Sequence, residues 1–323
     1  MPAISIIIPV YKVEEYIARC ARSLFGQTME DLEFIFLDDC TPDRSIDVMR
    51  EVLEEFPQRR PQVRCFRMPV NSGLAVVRTK GVELATGDYI VWVDSDDELR
   101  TDACKLLYDK ALEGGFDIVA CDFEKRRGSW RKLCSQRTSP ERVMLDLMSG
   151  RILGSLCCTM ARRSLYEGLL PPKGNMWEDL VFVAQLYLKA GSWAYVPEAL
   201  YFYHFRESST TKSPGEEASV GRWMEVQKNA FLLLDILRQH YPEGSPEIVN
   251  MKYNSRHCLK PLVHRKEYYK RWRNCFPEVD KVYLLIPGPT MQQRLWFVLI
   301  HLHLYHPWKV VSGKIRSMLG GRF

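Results

Sequence analysis

The sequence predicts an α/β protein, a mostly parallel mixed sheet flanked by helices, with a largely helical C-terminal extension. Three observations carry this. Short, nearly continuous apolar runs alternate with amphipathic segments through the first 123 residues. Those amphipathic segments are long enough to cross over between parallel strands. Beyond about residue 215, helical periodicity replaces the apolar runs.

The elements follow in order. Residues 4–8 form an apolar run ended by Pro9, the first strand. A helix follows with Val13, Tyr16, Ile17, Cys20 and Leu24 on one face, closed at Gly26. Residues 32–37 are the second strand. Thr41-Pro42 reads as an N-cap with proline at the first helical position, opening a helix to about Phe56. Residues 63–67 are a third strand, 74–85 a helix, 89–93 a fourth strand, 101–112 a helix and 118–123 a strand. The section from 128 to 211 is mixed and aromatic-rich. This divides the chain into residues 1–215, with a front half to 112 and a second half from 113, and a basic, mainly helical region 216–323.

Composition excludes several classes. Apolar residues make up 46% and charged residues 26%, which sets disordered and fibrous proteins aside. No stretch reaches the ~20 apolar residues that span a bilayer, and the opening nine residues lack a basic flank, so a cytoplasmic address is the default expectation. The ten cysteines show no metal-binding spacing and read as reduced, mostly buried thiols. Charge is uneven. Residues 219–323 hold 17 Lys+Arg against 7 Asp+Glu, a balance of +10, and the total of +5 leaves −5 in front. An acidic front and a basic tail point to chemistry in one and attachment in the other.

Ligands of such sheets sit beyond the carboxyl ends of the strands. There the sequence places Asp38 and Asp39 after strand two, and Asp94, Asp96 and Asp97 after strand four. Crowded carboxylates repel unless a cation neutralises them. Asp94 and Asp96 offer hard oxygen donors on an exposed turn, suited to Mg²⁺ or Mn²⁺ with waters and a substrate phosphate completing the shell. The plainer reading is a solvated acidic turn capping the next helix; the buried strand before it favours the metal. Asp39, acceptor-only, suits the N3–H of uracil or thymine or the N1–H of guanine, or else simply complements a helix dipole. Asn71-Ser72-Gly73 precede a helix carrying Arg78, a place that welcomes an anion.

Together these residues resemble glycosyltransferase family 2, of the inverting, bacterial surface-glycan type with a GT-A fold. The matching text is Ser5-Ile6-Ile7-Ile8-Pro9-Val10-Tyr11, Ser23-Leu24-Phe25-Gly26-Gln27-Thr28, Phe36-Leu37-Asp38-Asp39-Cys40-Thr41-Pro42-Asp43, Asn71-Ser72-Gly73 with Arg78, and Gly87-Asp88-Tyr89-Ile90 through Asp97. The resemblance implies that Tyr11 and Asp39 hold the base beside Pro9, that Asn71 and Arg78 place the nucleotide, that Asp94 lies near ribose and sugar, and that Asp96 binds the metal. Cys40-Thr41-Pro42 depart from the common Gly-Ser form and stiffen that turn.

A second match is Asn175-Met176-Trp177-Glu178-Asp179 at the start of a helix. It implies that Asp179, beside Glu178, is the base that deprotonates the acceptor hydroxyl; otherwise the pair complements the helix dipole. The next match, the stretch from Leu200 to Thr210, implies diphosphate contacts from Arg206, Ser208 and Ser209, and His204 as a further metal or phosphate contact unless it packs in a core. Resemblance fades after about residue 215.

In the tail, Arg265, Lys266, Lys270, Arg271 and Arg273 interleave with Tyr268, Tyr269 and Trp272. Such text suits an anionic membrane surface, here the inner face of the plasma membrane, or a helical cap with a solvated face; nucleic acid is not expected. The expected function is inverting, metal-assisted transfer of a sugar from a nucleoside diphosphate, a UDP-sugar first, to a glycan or lipid-linked acceptor. A sugar nucleotidyltransferase would need a glycine-rich loop after strand one, and Pro9 to Glu15 holds no glycine. A non-catalytic nucleotide-sugar-binding scaffold is opposed by the intact Asp39, Asp94, Asp96 and Asp179.

Overall fold

The computed structural model describes residues 2–206, 215–308 and 311. They fall into two compact units, one drawn from Met1–Val143 and Ile152–Ser209, the other from Met144–Arg151 and Thr210–Phe323.

The elements in chain order are β1 (Ile4–Val10), α1 (Ile17–Phe25), β2 (Leu32–Asp38), α2 (Ser45–Leu53), β3 (Val63–Arg67), α3 (Leu74–Leu84), β4 (Tyr89–Trp92), β5 (Glu98–Leu99), α4 (Ala103–Gly114), β6 (Ile118–Arg127), β7 (Trp130–Cys134), α5 (Val143–Ser149), β8 (Thr159–Arg162), α6 (Glu178–Lys189) and β9 (Trp193–His204). The helices α7 (Glu216–Leu237), α8 (Pro246–Asn254), α9 (Lys266–Asn274) and α10 (Met291–His301) follow.

In the first unit the sheet runs β3-β2-β1-β4-β8-β6-β9-β5, with β7 paired to β6. The first four strands are parallel. β8 enters antiparallel to both β4 and β6, and β6 pairs parallel with β9. β1, β2 and β4 are buried on both faces, which is why they read as unbroken apolar runs. α3 lies close against them because Gly81 carries no side chain: a Cβ there would meet Ile7 Cγ2 at 2.6 Å and Leu37 Cδ1 at 2.9 Å. A buried carboxylate near the start of β2, Glu33, accepts from Ser5 Oγ at 2.5 Å, Thr86 N at 2.6 Å and Arg64 Nη1 at 3.0 Å. It ties the loop into β4 to the two strands beside it.

Three boundaries differ from the sequence expectation. α2 begins at Ser45 rather than Pro42, because the Thr41 hydroxyl is already committed: it donates to Asp43 at 2.7 Å and accepts from Lys12 N at 2.9 Å. Asp43, one residue before the cap position, accepts from Ser45 N at 3.2 Å. α1 begins at Ile17, after a turn held by Val13 N donating to Ser45 Oγ at 3.0 Å. β6 runs on to Arg127 and returns as β7, a hairpin whose exposed residues carry no apolar run to announce it.

In the second unit Tyr253, Trp272, Tyr283 and Phe297 pack together, Tyr253 and Tyr283 stacked at 3.6 Å. Arg256 is enclosed in this core and donates to Asp280 at 2.7 Å. Among the described residues no helix is long and apolar enough to cross a membrane.

Candidate active site

The carboxyl edge of the parallel strands gathers the charges. β4 delivers Asp94, Ser95, Asp96 and Asp97 into a tight turn closed by Asp97 N donating to Asp94 O at 3.0 Å. The turn is not the exposed one the sequence suggested: Ser95 and Asp97 are buried, and Asp96 is largely enclosed. Asp97 faces inward, accepting from Tyr201 Oη at 2.6 Å and His204 N at 2.8 Å. Burial, then the charges of Asp96 and Asp94, hold its carboxyl well above the ordinary range. That makes Asp97 a structural acid of the turn.

Arg78 of α3 lies at the centre, with only 1% of its side chain exposed. Its Nη2 is 2.9 Å from Asp179 Oδ1 and 3.3 Å from Asp94 Oδ1, its Nε 3.9 Å from Glu178 Oε1, and its guanidinium rests 5.4 Å from the Trp92 ring. Burial works against the Arg78 charge, but Asp179, Asp94 and Glu178 outweigh it and keep it protonated. One buried cation therefore joins a carboxylate from the β4 turn to two from the start of α6.

α6 opens at Glu178 after Trp177, which takes a left-handed backbone (φ 67°) to turn the chain into the helix. Asp179 Oδ2 accepts from Ser155 Oγ at 3.1 Å and Leu156 N at 3.4 Å. Burial lifts the Asp179 carboxyl, Arg78 pulls it back and Asp94 adds to the rise, leaving it above its ordinary range. Glu178 goes further, to about 8, through burial and the neighbouring Asp179. A carboxyl raised above its ordinary range is the stronger proton acceptor once it is ionised.

The turn after β2 is built differently. Asp39 Oδ1 accepts from Ser72 N at 2.7 Å and Oδ2 from Gly73 N at 3.0 Å, while Asn71 Nδ2 donates to the Asp39 carbonyl at 3.3 Å. Cys40 follows with a left-handed φ of 56°. Pro9 lies within β1, paired with Leu37, and Tyr11 stands 40% exposed just beyond the strand.

Residues 5–170 match the family described as glycosyl transferase family 2, just over half of the chain. The chain belongs to glycosyl transferase family 2. It is 30% identical over 230 residues to the uncharacterized glycosyltransferase EpsJ of Bacillus subtilis, covering 68% of this chain and 65% of that relative. It is 31% identical over 229 residues to a poly(ribitol-phosphate) beta-glucosyltransferase of Bacillus spizizenii, covering 67% of this chain and 33% of the relative. The chain thus spans about two thirds of the first relative's length and a third of the second's. Among solved structures, Staphylococcus aureus TarS 1–349 in complex with UDP-GlcNAc has a TM-score of 0.59 at 17% identity, covering 98% of this chain and 92% of that one. The mannosyltransferase PcManGT of Pyrobaculum calidifontis, in complex with GDP-Man and Mn²⁺, has a TM-score of 0.55 at 12% identity, covering 97% and 88%. These structures share the GT-A fold.

Within this family 2 site, Asp96 Oδ2 is 2.7 Å from Arg206 Nε. Burial and then the Asp94 charge raise the Asp96 carboxyl, with Arg206 opposing. Among the described residues no group of three or more His, Cys, Asp or Glu could hold a metal ion. Two hard carboxylates on one turn still fit a magnesium-like ion that takes one or two protein ligands and fills its shell from water and phosphate. The His204 ring is engaged elsewhere, its Nε2 2.5 Å from Glu98 Oε1. Ser208 and Ser209 lie outside the described residues.

Two contributors, Arg19 and Ser155, escaped the sequence, and two residues within the matched stretches, Tyr201 and Asn175, take roles it did not show. Arg19 donates to Asp96 O at 2.7 Å, Ser155 orients Asp179, and Tyr201 braces both Asp97 and, at 3.3 Å, Asp94 N. Asn175 Oδ1 accepts from Ala75 N at 3.1 Å, joining the segment before α6 to the start of α3. Each contact spans tens of residues, and no local pattern marks it.

Proposed function

We propose that this chain transfers a sugar from a nucleoside diphosphate, a UDP-sugar, to a hydroxyl of a glycan or lipid-linked acceptor, with inversion at the anomeric carbon. The observation that carries the reading is the shared arginine: Arg78 holds Asp94, on the donor side in this reading, and Asp179 at the start of α6 around one buried cation. Support also comes from family membership and from neighbours solved with UDP-GlcNAc and GDP-Man.

In this reading the base stacks near Tyr11 beside Pro9, with Asp39 and Asn71 lining its pocket. Asp94 positions the ribose and sugar. Asp179, oriented by Ser155 and Arg78, takes the acceptor hydroxyl proton on a carboxylate oxygen. The freed oxygen bonds to the anomeric carbon as the bond to the diphosphate oxygen breaks, and the nucleoside diphosphate departs with that electron pair. Glu178, held up by burial, remains protonated beside it and keeps the Asp179 charge from being doubled. Arg206 supplies positive charge toward the diphosphate. Asp96, with Asp94, would hold Mn²⁺ or Mg²⁺, whose chemistry is to neutralise the departing diphosphate.

Calorimetry tests the pairing of nucleotide and metal. UDP and Mn²⁺ are expected to bind with positive coupling of about 5- to 150-fold, lost in Asp96→Ala. UDP affinity indifferent to Mn²⁺, Mg²⁺ and this substitution would sink the metal assignment.

A further inference from the structure

The helical unit encloses its aromatic core and yet leaves one apolar face open. On α10, Met291 (82% exposed), Leu295, Val298 and, just past its end, Leu302 (60%) recur at helical spacing and form one stripe. Arg294 donates through both guanidinium nitrogens to the carbonyls of Leu284 and Ile286. That pins the segment carrying Leu284 and Leu285 (83% exposed) beside the helix.

A row of exposed cations lies on α9, the helix that the residues just past α10 touch. His303 contacts Tyr269 of α9 with ring centroids 4.3 Å apart, and His306 stacks on His264 at 4.2 Å. Tyr269 is three residues from Lys266 and four from Arg273, so those exposed cations share its face of α9, with Lys270 next in line. Of the acids nearby, Glu267 pairs with Arg265 and Glu278 with Lys252, while Asp280 is held by Arg256 at 2.7 Å and lies 3.6 Å from Arg273. That leaves Lys266 and Lys270 as the cations of this row with no acidic partner among the described residues. Between residues 264 and 308 there are 7 Lys+Arg against 3 Asp+Glu.

Leucine and methionine side chains left in water on one helical face are costly unless something covers them. A second copy laid face to face would set one set of these cations against the other. An anionic bilayer takes both features at once: apolar side chains enter the headgroup boundary while Lys and Arg stay among the phosphates. We propose that this face, Leu284, Leu285, Met291, Leu295, Val298 and Leu302 edged by Lys266, Lys270 and Arg273, rests on an anionic lipid surface. It is carried by the helical unit alone and stands whether or not the transfer reading holds.

The test is flotation of the full chain with phosphatidylcholine vesicles, with and without phosphatidylglycerol. Binding is expected only with phosphatidylglycerol, and to fall steeply as salt rises to about 0.5 M. Leu285→Ser with Met291→Ser, both at exposed positions, is expected to weaken it about tenfold. Lys266→Gln with Lys270→Gln is expected to remove most of its salt dependence. Unchanged thermal melts and UDP binding show that the variants are folded. Binding that is equal on neutral and anionic vesicles, or indifferent to both double variants, overturns the proposal. So does a concentration-dependent dimer broken by Met291→Ser, since a second copy then covers the face. Binding that appears only after residues 312–323 are removed overturns it too, because the chain's own end is then the cover.

Discussion

Two turns reach the same edge of the sheet with the same residue type and neutralise it by different means. After β2, Asp39 gives each oxygen to a backbone N–H, of Ser72 and Gly73. After β4 and at the start of α6, Asp94, Glu178 and Asp179 lean on one side chain, Arg78. Backbone dipoles are fixed and neutral, so a change at Asp39 stays local. A shared cation couples its partners, so removing any one of them alters the proton affinity of the others.

The largest effect is expected at Asp179. Asp179→Asn keeps the size but not the basic oxygen, so transfer falls by about two to four orders of magnitude while UDP still binds with Mn²⁺. Near-wild-type transfer moves the base elsewhere, Glu178 first; lost UDP binding puts Asp179 in the donor pocket. Next comes Arg78→Met, which leaves three carboxylates around an apolar side chain. Denaturant unfolding at pH 7 should show a loss of about 3–5 kcal/mol, shrinking at pH 5 as the carboxylates protonate. A loss as large at pH 5 would mean that Arg78 acts by packing on Trp92 alone.

Glu178 gives a smaller, pH-shaped effect. Its folded pKa, about 8, lies above its ordinary value of 4.5, so the stability it contributes is full below about 4.5 and drains away as pH rises toward 8. Glu178→Gln should flatten the stability profile and gain about 1–3 kcal/mol over wild type at pH 8, little at pH 5. Parallel profiles would show that Glu178 is solvated. The smallest effect belongs to the turn held by the backbone: Asp39→Asn should weaken UDP about tenfold. UDP binding as tight as wild type would make Asp39 only a brace for residues 71–73.

Much of the parallel half was legible because burial on both faces writes strands as apolar runs, and β2 falls within one residue of the positions the pattern marks. The start of α2 was not, since Thr41 has the right chemistry for a cap and a different partner in space. The edge position of Asp94 and Asp96 was readable from the strand before them, and that of Glu178 and Asp179 from the helix after them. Which acid of a run faces inward was not: Asp97 is buried by Tyr201, 104 residues away. Arg78 read as a contact for an anion; that three carboxylates supplied by two other elements enclose it was not marked in the sequence.

Gly73 has a reach beyond its own turn. Its φ of 81° already resists a side chain, and a Cβ there would come within 2.6 Å of the Asn175 amide, the group that caps Ala75 N. An alanine at 73 would have to push that amide aside, and the segment leading to Glu178 and Asp179 would move with it. A mutation in the donor half would then present as an acceptor defect. Geneticists mapping loss-of-transfer alleles in this chain should expect some of them to sit on the wrong side of the reaction.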